Sequence, residues 1–121
     1  MEKTSNRTKE YDLLKQLRRR FAKEFLDLII LAKLSSSDYI NGYALIEYIY
    51  QKYKILLSSG TVYSTLYAME RKGLIKGVWR ERIRIYYITP EGKEVIQTVV
   101  EKIDYIKSLF SHLESIDKKH D

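Results

Sequence analysis

The stretch from Ser58 to Thr89, SSGTVYSTLYAMERKGLIKGVWRERIRIYYIT, leaves the chain few folds to choose from. A short helix closes within it, and two strands follow with no room for a linker. Ser58 is a good N-cap, because its hydroxyl accepts from an orphan backbone N–H two or three residues on. Val62, Leu66 and Met69 then recur four and three apart, one apolar stripe at helical spacing. Gly73 follows Glu70, Arg71 and Lys72, where a left-handed residue ends a helix and cations suit its negative end.

The opposite face of this helix is expected to carry Thr61, Ser64, Thr65 and Ala68, none of them large or acidic. Such a face can approach a major groove closely, offering hydroxyls to base edges or phosphates and a methyl to thymine. The plainer reading of the same residues is a surface helix with small polar side chains. Leu74 to Trp79 and Ile83 to Ile88 read as strands, rich in Ile, Val, Tyr and Trp. Between them lie Arg80, Glu81 and Arg82, a connection without the Gly, Asn or Asp-Gly of a standard two-residue hairpin. Arg82, Arg84 and Tyr86 are expected on one strand face, because side chains alternate. A basic hairpin beside a small-faced helix is the layout of a winged helix. The same arginines also suit a solvated edge strand protected by charge.

These residues resemble a known family. Ser58, Gly60, Thr61, Tyr63, Leu66, Glu70, Gly73, Leu74 and Ile75 fit the pattern S-x-G-T-x-Y-x-x-L-x-x-x-E-x-x-G-L-I, and Trp79, Arg80, Tyr86, Thr89 and Gly92 fit its W-R…Y-x-x-T-x-x-G continuation. Upstream, Gly42, Tyr43 and Ile46 fit its G-Y-x-x-I. The chain resembles the PadR-type transcriptional regulators over roughly Phe25 to Gly92. It departs from the pattern in two places. Ser59 stands where the family usually has proline, and both suit a first helical position. The wing is shorter than usual and lacks its glycines.

A chain of 121 residues holds one domain with a single core. A net charge of +6 favours an anionic partner, nucleic acid before a membrane surface. No cysteine is present, so disulfides and thiolate metal ligands are excluded. No apolar run approaches the roughly 20 residues that cross a bilayer, and no signal peptide is visible, so a soluble, cytoplasmic protein is expected.

Before the central stretch, residues 1–7 are polar and expected to fray. One long helix is expected from about Thr8 to Leu34, with Leu14, Leu17, Phe21, Phe25, Leu28 and Ala32 as its apolar stripe. Its early half is basic (Lys9, Lys15, Arg18, Arg19, Arg20, Lys23), either a solvated face or a phosphate contact flanking the recognition helix. A loop spans Ser35 to Asn41. Asp38 or Asn41 then caps a second helix through about Tyr53, its apolar face formed by Tyr43, Ile46, Ile49 and Tyr50. In the link from Lys54 to Leu57, Ile55 is expected to pair with the wing as a third strand.

After the central stretch, Thr89 caps a last helix with Pro90 at its first position, running to about Ile116. Ile96, Val99, Ile103, Ile106, Phe110 and Leu113 are spaced three, four, three, four, three, the repeat of a two-helix seam. Packing on the chain's own first helix is one reading of the seam. The other is burial in a symmetric homodimer together with Leu14, Leu17 and Phe21, which the resemblance also implies. Residues 118–121 read as a loose tail. The organisation expected is therefore a winged helix-turn-helix over 1–89, with a basic extension over 8–24, a dimerisation helix over 90–117 and the tail.

Catalysis is not expected. His112 and His120 have no acidic pair at metal-ligand spacing, and no glycine-rich phosphate loop appears. No cofactor is implied. The function expected is sequence-specific binding of double-stranded DNA by a homodimer, as a transcriptional regulator and more specifically a repressor on a two-fold related operator. Bases would be read by Thr61, Ser64, Thr65 and Ala68. Phosphates would be held by Ser59, Gly60, Tyr63, Lys72, Arg80, Arg82, Arg84, Arg18 and Arg19. An architectural DNA binder with little sequence preference, or a protein-interaction module, are the other readings. The resemblance further implies a small aromatic effector at the dimer interface, although the sole tryptophan, Trp79, falls near the wing and not on a terminal helix.

Overall fold

A computed structural model describes residues 2–118, with side-chain surroundings for residues 7–114. Beyond Lys118 the expected tail, His120 included, lies outside the described residues. The chain begins with α1 (Glu2–Glu24) and α2 (Leu26–Ser35), separated only by Phe25 at φ −107°, ψ 24°. The break is a bend rather than a gap, since the Phe25 and Ile29 amides still donate to the Phe21 and Phe25 carbonyls at 3.0 and 2.9 Å. The single helix expected here is thus two, and its inward stripe is a different one. Ala22, Leu26, Ile30 and Leu34 enter the core, whereas Leu14, Leu17, Phe21 and Phe25 are 40–50% exposed. Two apolar stripes share this segment, and the domain takes the one that faces α4 and α5.

Asn41 caps α3 (Gly42–Tyr53), its side-chain oxygen accepting from the Ala44 amide at 2.8 Å. This helix buries Leu45 and Ile49 and leaves Tyr43 and Tyr50 outside, so the expected apolar face is rotated by about one residue. Lys54 ends it in the left-handed region at φ 58°, donating to the Tyr50 carbonyl. Ser58 caps α4 (Ser59–Arg71) by accepting from the Thr61 amide at 3.2 Å, and Val62, Leu66 and Met69 are almost wholly buried. Gly73 at φ 78° closes the helix, with the Leu74 amide reaching back to the Met69 carbonyl.

Strands β1 (Ile40–Asn41), β2 (Ile75–Arg80) and β3 (Ile83–Ile88) form an antiparallel sheet in the order β1-β3-β2. The hairpin pairs Ile75 with Ile88 through to Arg80 with Ile83, around a two-residue turn in which Glu81 takes φ 59°. Arg82 therefore sits in the turn and not on a strand face. The third strand is not Ile55, which is 1% exposed in the core, but the pair Ile40 and Asn41, opposite Tyr86 and Ile85. Residues leading into α3 already occupy that edge of β3.

Thr89 caps α5 (Pro90–Glu101), accepting from the Gly92 amide at 3.1 Å. Lys102 at φ −100° interrupts the expected single helix, and α6 (Ile103–Lys118) follows it. Ile96 is 7% exposed in the chain's own core and Val99 packs against that core, so the expected seam begins only after them. From there outward Ile103, Phe110 and Leu113 are 40%, 68% and 63% exposed. The winged-helix core thus spans α2 to α5, while most of α1 and all of α6 extend beyond it.

Candidate nucleic-acid interface

The core-facing stripe of α4 fixes which of its residues point outward. Directly opposite Val62 and Leu66 stand Gly60, Ser64, Tyr67 and Arg71, all exposed. Thr61, Thr65 and Ala68 are only partly exposed and lie on the flank toward α1 and α2. There Ser64, Thr65 and Ala68 share a shallow groove with Lys23, Glu24, Asp27 and Lys72. Two carboxylates beside Thr65 and Ala68 make this flank less hospitable to phosphate than the outward stripe. Tyr67 and Arg71 escape a reading that looks only for small side chains, although the spacing 60–64–67–71 marks them.

The hydroxyls of Ser64 and Thr65 donate to the Thr61 carbonyl at 3.2 and 2.9 Å, leaving oxygen lone pairs as acceptors. The Ser58 hydroxyl donates to Thr61 Oγ1 at 2.9 Å, tying the first turn together. Ser59 and Gly60 are exposed at that end, where the unpaired amides of a helix N-terminus gather. Nearby, Arg19 and Lys23 of α1 border a groove with Leu57, Ser58 and Thr61, which brings part of the basic stretch of α1 to the start of α4. Arg18 is half-buried.

Tyr63 is on the other flank, half-buried against α3. Its ring fills the space over Gly42, and burial pushes its phenol above the ordinary tyrosine value, so it remains a protonated donor. Tyr67 is 6.3 Å from it, ring centre to ring centre.

Among the wing cations, Arg80 donates to the Tyr87 hydroxyl at 3.2 Å and lies over the Tyr39 ring. Arg82 is exposed in the turn. Arg84 differs from the expectation of a phosphate-facing side chain, because its guanidinium is paired with Glu70 of α4 at 2.6 Å. That carboxylate also accepts from the Gly77 amide at 3.3 Å and is held below the ordinary glutamate range, chiefly by the Arg84 hydrogen bond. Among the described residues no three His, Cys, Asp or Glu side chains are grouped to hold a metal, and no helix is long and apolar enough to cross a membrane.

Residues 30–98 match the family described as the transcriptional regulator PadR-like family, more than half of the chain. The chain belongs to the PadR-like family. Solved structures of transcriptional regulators agree. A transcriptional regulator from Clostridium thermocellum is 28% identical, with TM-score 0.66 over 74% of this chain and 89% of that one. A PadR family transcription regulator from Clostridium difficile is 25% identical, with TM-score 0.66 over 74% and 97%. A PadR-like regulator from Bacillus cereus, at 22% identity and TM-score 0.67 over 78% and 95%, shares the fold. No curated protein matches the sequence. As a PadR-like winged-helix protein the chain is a DNA-binding transcription regulator and not an enzyme.

Proposed function

We propose that this PadR-like regulator works as a homodimer, reads a two-fold related operator with the outward stripe of α4, and represses transcription there. The observation that carries the reading is the stripe Gly60, Ser64, Tyr67 and Arg71, uncovered and flanked by cations from two other elements. Ser64 and Tyr67 would face base edges, with Thr61, Thr65 and Ala68 at the groove wall. Arg71, Lys72, Arg80, Arg82 and Arg19 would hold phosphates, joined by the Tyr63 phenol and the amides of Ser59 and Gly60. Base contacts then choose the sequence while the cations set affinity and its dependence on salt.

Support for the dimer comes from two apolar stripes that the chain leaves uncovered, Leu14, Leu17 and Phe21 on α1 and Ile103, Phe110 and Leu113 on α6. Facing stripes on elements that overhang a small core are buried at no sequence cost by a second copy. Between α1 and α6 lies a gap of about 820 Å³, lined by Leu17, Phe21, Phe25, Phe110 and Leu113 together with the charged Arg20, Lys23 and Glu24. It is the place this chain offers a small aromatic effector. Selection of bound duplexes from a random pool tests the central claim: a recovered site with two inverted halves supports it. Equal affinity for every sequence would favour an architectural DNA binder instead.

A further inference from the structure

One carboxylate joins three elements of the winged helix. Glu70 leaves α4 and accepts from Arg84 Nη2 of β3 at 2.6 Å and from the Gly77 amide of β2 at 3.3 Å. Both partners of the ion pair are shielded, with side chains only 21% and 29% exposed. The Arg84 guanidinium lies flat over Gly77, where a Cβ would stand 2.7–2.8 Å from its Nε, Cζ and Nη2 atoms. Any side chain there would push the guanidinium aside. The same guanidinium lies 5.4 Å from the centre of the Trp79 ring, its cross-strand partner, and 5.8 Å from that of Tyr86. Trp79 itself is 65% exposed, on the sheet face that looks toward α4.

From this geometry we infer that Glu70, Arg84 and Gly77 form a clamp that fixes the wing, with Trp79 at its outer edge, at one angle to the recognition helix. Arg84 is a positioning residue and not a phosphate contact. The inference rests on the DNA-binding reading above. A two-residue turn and two short strands have no other polar tie to α4 among the hydrogen bonds of the described residues. Ile75 and Tyr86 hold the base of the wing in the core shared with α4. Without the clamp it is therefore the outer part, residues 77–84, that must be ordered against the helix each time DNA is bound, at an entropic cost to affinity. With it, they approach the duplex already aligned.

The sign of one substitution decides the matter. Glu70→Gln removes a negative charge from a surface that meets phosphate, so electrostatics alone would tighten binding. The clamp requires the reverse, a loss of about fivefold for a mixed-sequence duplex, the scale of coupling within one hydrogen-bonded pair. Arg84→Gln should weaken binding similarly while leaving the slope of log K against log salt unchanged. Arg82→Gln should flatten that slope by about 0.9. Trp79 is the only tryptophan, so its fluorescence anisotropy in the protein without DNA reports wing mobility directly. It should fall in Glu70→Gln and Arg84→Gln and stay constant in Arg82→Gln. Gly77→Ala keeps both charges, should behave like Glu70→Gln, and carries the test should that variant fail to fold. Tighter or unchanged binding by Glu70→Gln, or a flattened slope for Arg84→Gln, overturns the clamp. A wild-type protein that bound no duplex at low salt would defeat the proposed function instead. The anisotropy would then settle the clamp alone, unchanged values refuting it.

Discussion

The ring of Tyr63 lies in the space that a side chain on residue 42 would need. A Cβ built on Gly42 would overlap the ring at its hydroxyl-bearing end. This contact lets the first turn of α3 approach α4 closely. It also gives a physical reason for glycine at the head of α3. Gly42→Ala should therefore cost about 1–3 kcal/mol of stability, the usual penalty for overpacking. Denaturant unfolding of Gly42→Ala alone and combined with Tyr63→Ala measures it. An identical loss in both backgrounds would mean that the ring is not the obstacle.

Among the described residues, two other than glycine sit in the left-handed region, Lys54 at φ 58° and Glu81 at φ 59°. Lys54 closes α3 and Glu81 opens the hairpin turn, both positions that favour glycine. Glu81→Gly and Lys54→Gly should each raise stability by up to about 1 kcal/mol, relief of strain exceeding the added freedom of the unfolded chain. Thermal unfolding decides it. A lowered midpoint in either variant would show that the native turn does not hold that residue left-handed.

Much of this fold is legible in local chemistry. The caps Ser58 and Thr89 and the stripe Val62, Leu66 and Met69 announce themselves, because each depends on neighbours within a few residues. For α3 local chemistry offers both Asp38 and Asn41, and the fold uses Asn41. What the sequence hides is set at long range. Nothing at Phe25 or Lys102 signals a helix break, since neither is Gly or Pro and hydrogen bonding runs through both. The pairing of Ile40 with Tyr86 depends on how α3 docks. Within the candidate interface, Tyr67 is marked by its spacing opposite the stripe Val62, Leu66 and Met69, and is missed only by a search confined to small side chains. Arg84 looks like a phosphate ligand until Glu70, fourteen residues earlier, is seen beside it.

The outward stripe and its flank should separate in binding experiments. Tyr67→Ala and Ser64→Ala should change which duplexes are preferred, because a lost base contact costs about 1–3 kcal/mol at one position only. Arg71→Ala should weaken all sequences and reduce the salt dependence. Thr65→Ala, on the half-buried flank, should have the smaller effect on preference. Affinity measured on a panel of single-base variants of the selected site tests this. A larger change in preference for Thr65→Ala than for Tyr67→Ala would reverse the assignment of the two faces.

The pair of Glu70 and Arg84 also has a pH signature. Glu70 is held below its ordinary range, first by the Arg84 hydrogen bond and then by the Gly77 amide, with burial opposing. A carboxyl with a depressed folded-state value stabilises the native form above its unfolded value. That contribution is lost as pH falls through the lower, folded value. The gap in stability between wild type and Glu70→Gln, on the order of 1 kcal/mol and followed through the thermal midpoints, should be full at neutral pH and close in acid below the ordinary glutamate range. A gap that stayed constant down to that acid limit would show that the carboxylate charge contributes nothing.

Ile96 and Phe110 belong to one seven-residue repeat in the sequence, yet the structure gives them opposite surroundings. Ile96 is 7% exposed between α5 and α2, and Phe110 is 68% exposed on α6. A charge at Ile96 would be buried without a partner, whereas a charge at Phe110 in an isolated chain would sit in water. Ile96→Glu should therefore unfold the domain. Phe110→Glu should leave the far-ultraviolet circular dichroism of the monomer intact while splitting the dimer, because two carboxylates would meet across a two-fold axis. Sedimentation equilibrium separates the cases: a folded monomer for Phe110→Glu and a dimer for wild type. Since each half of a two-fold operator needs one copy, the Phe110 variant should also lose far more affinity for the full site than for a single half-site. If that variant remained a dimer, α6 would not be the contact and the second copy would have to dock elsewhere.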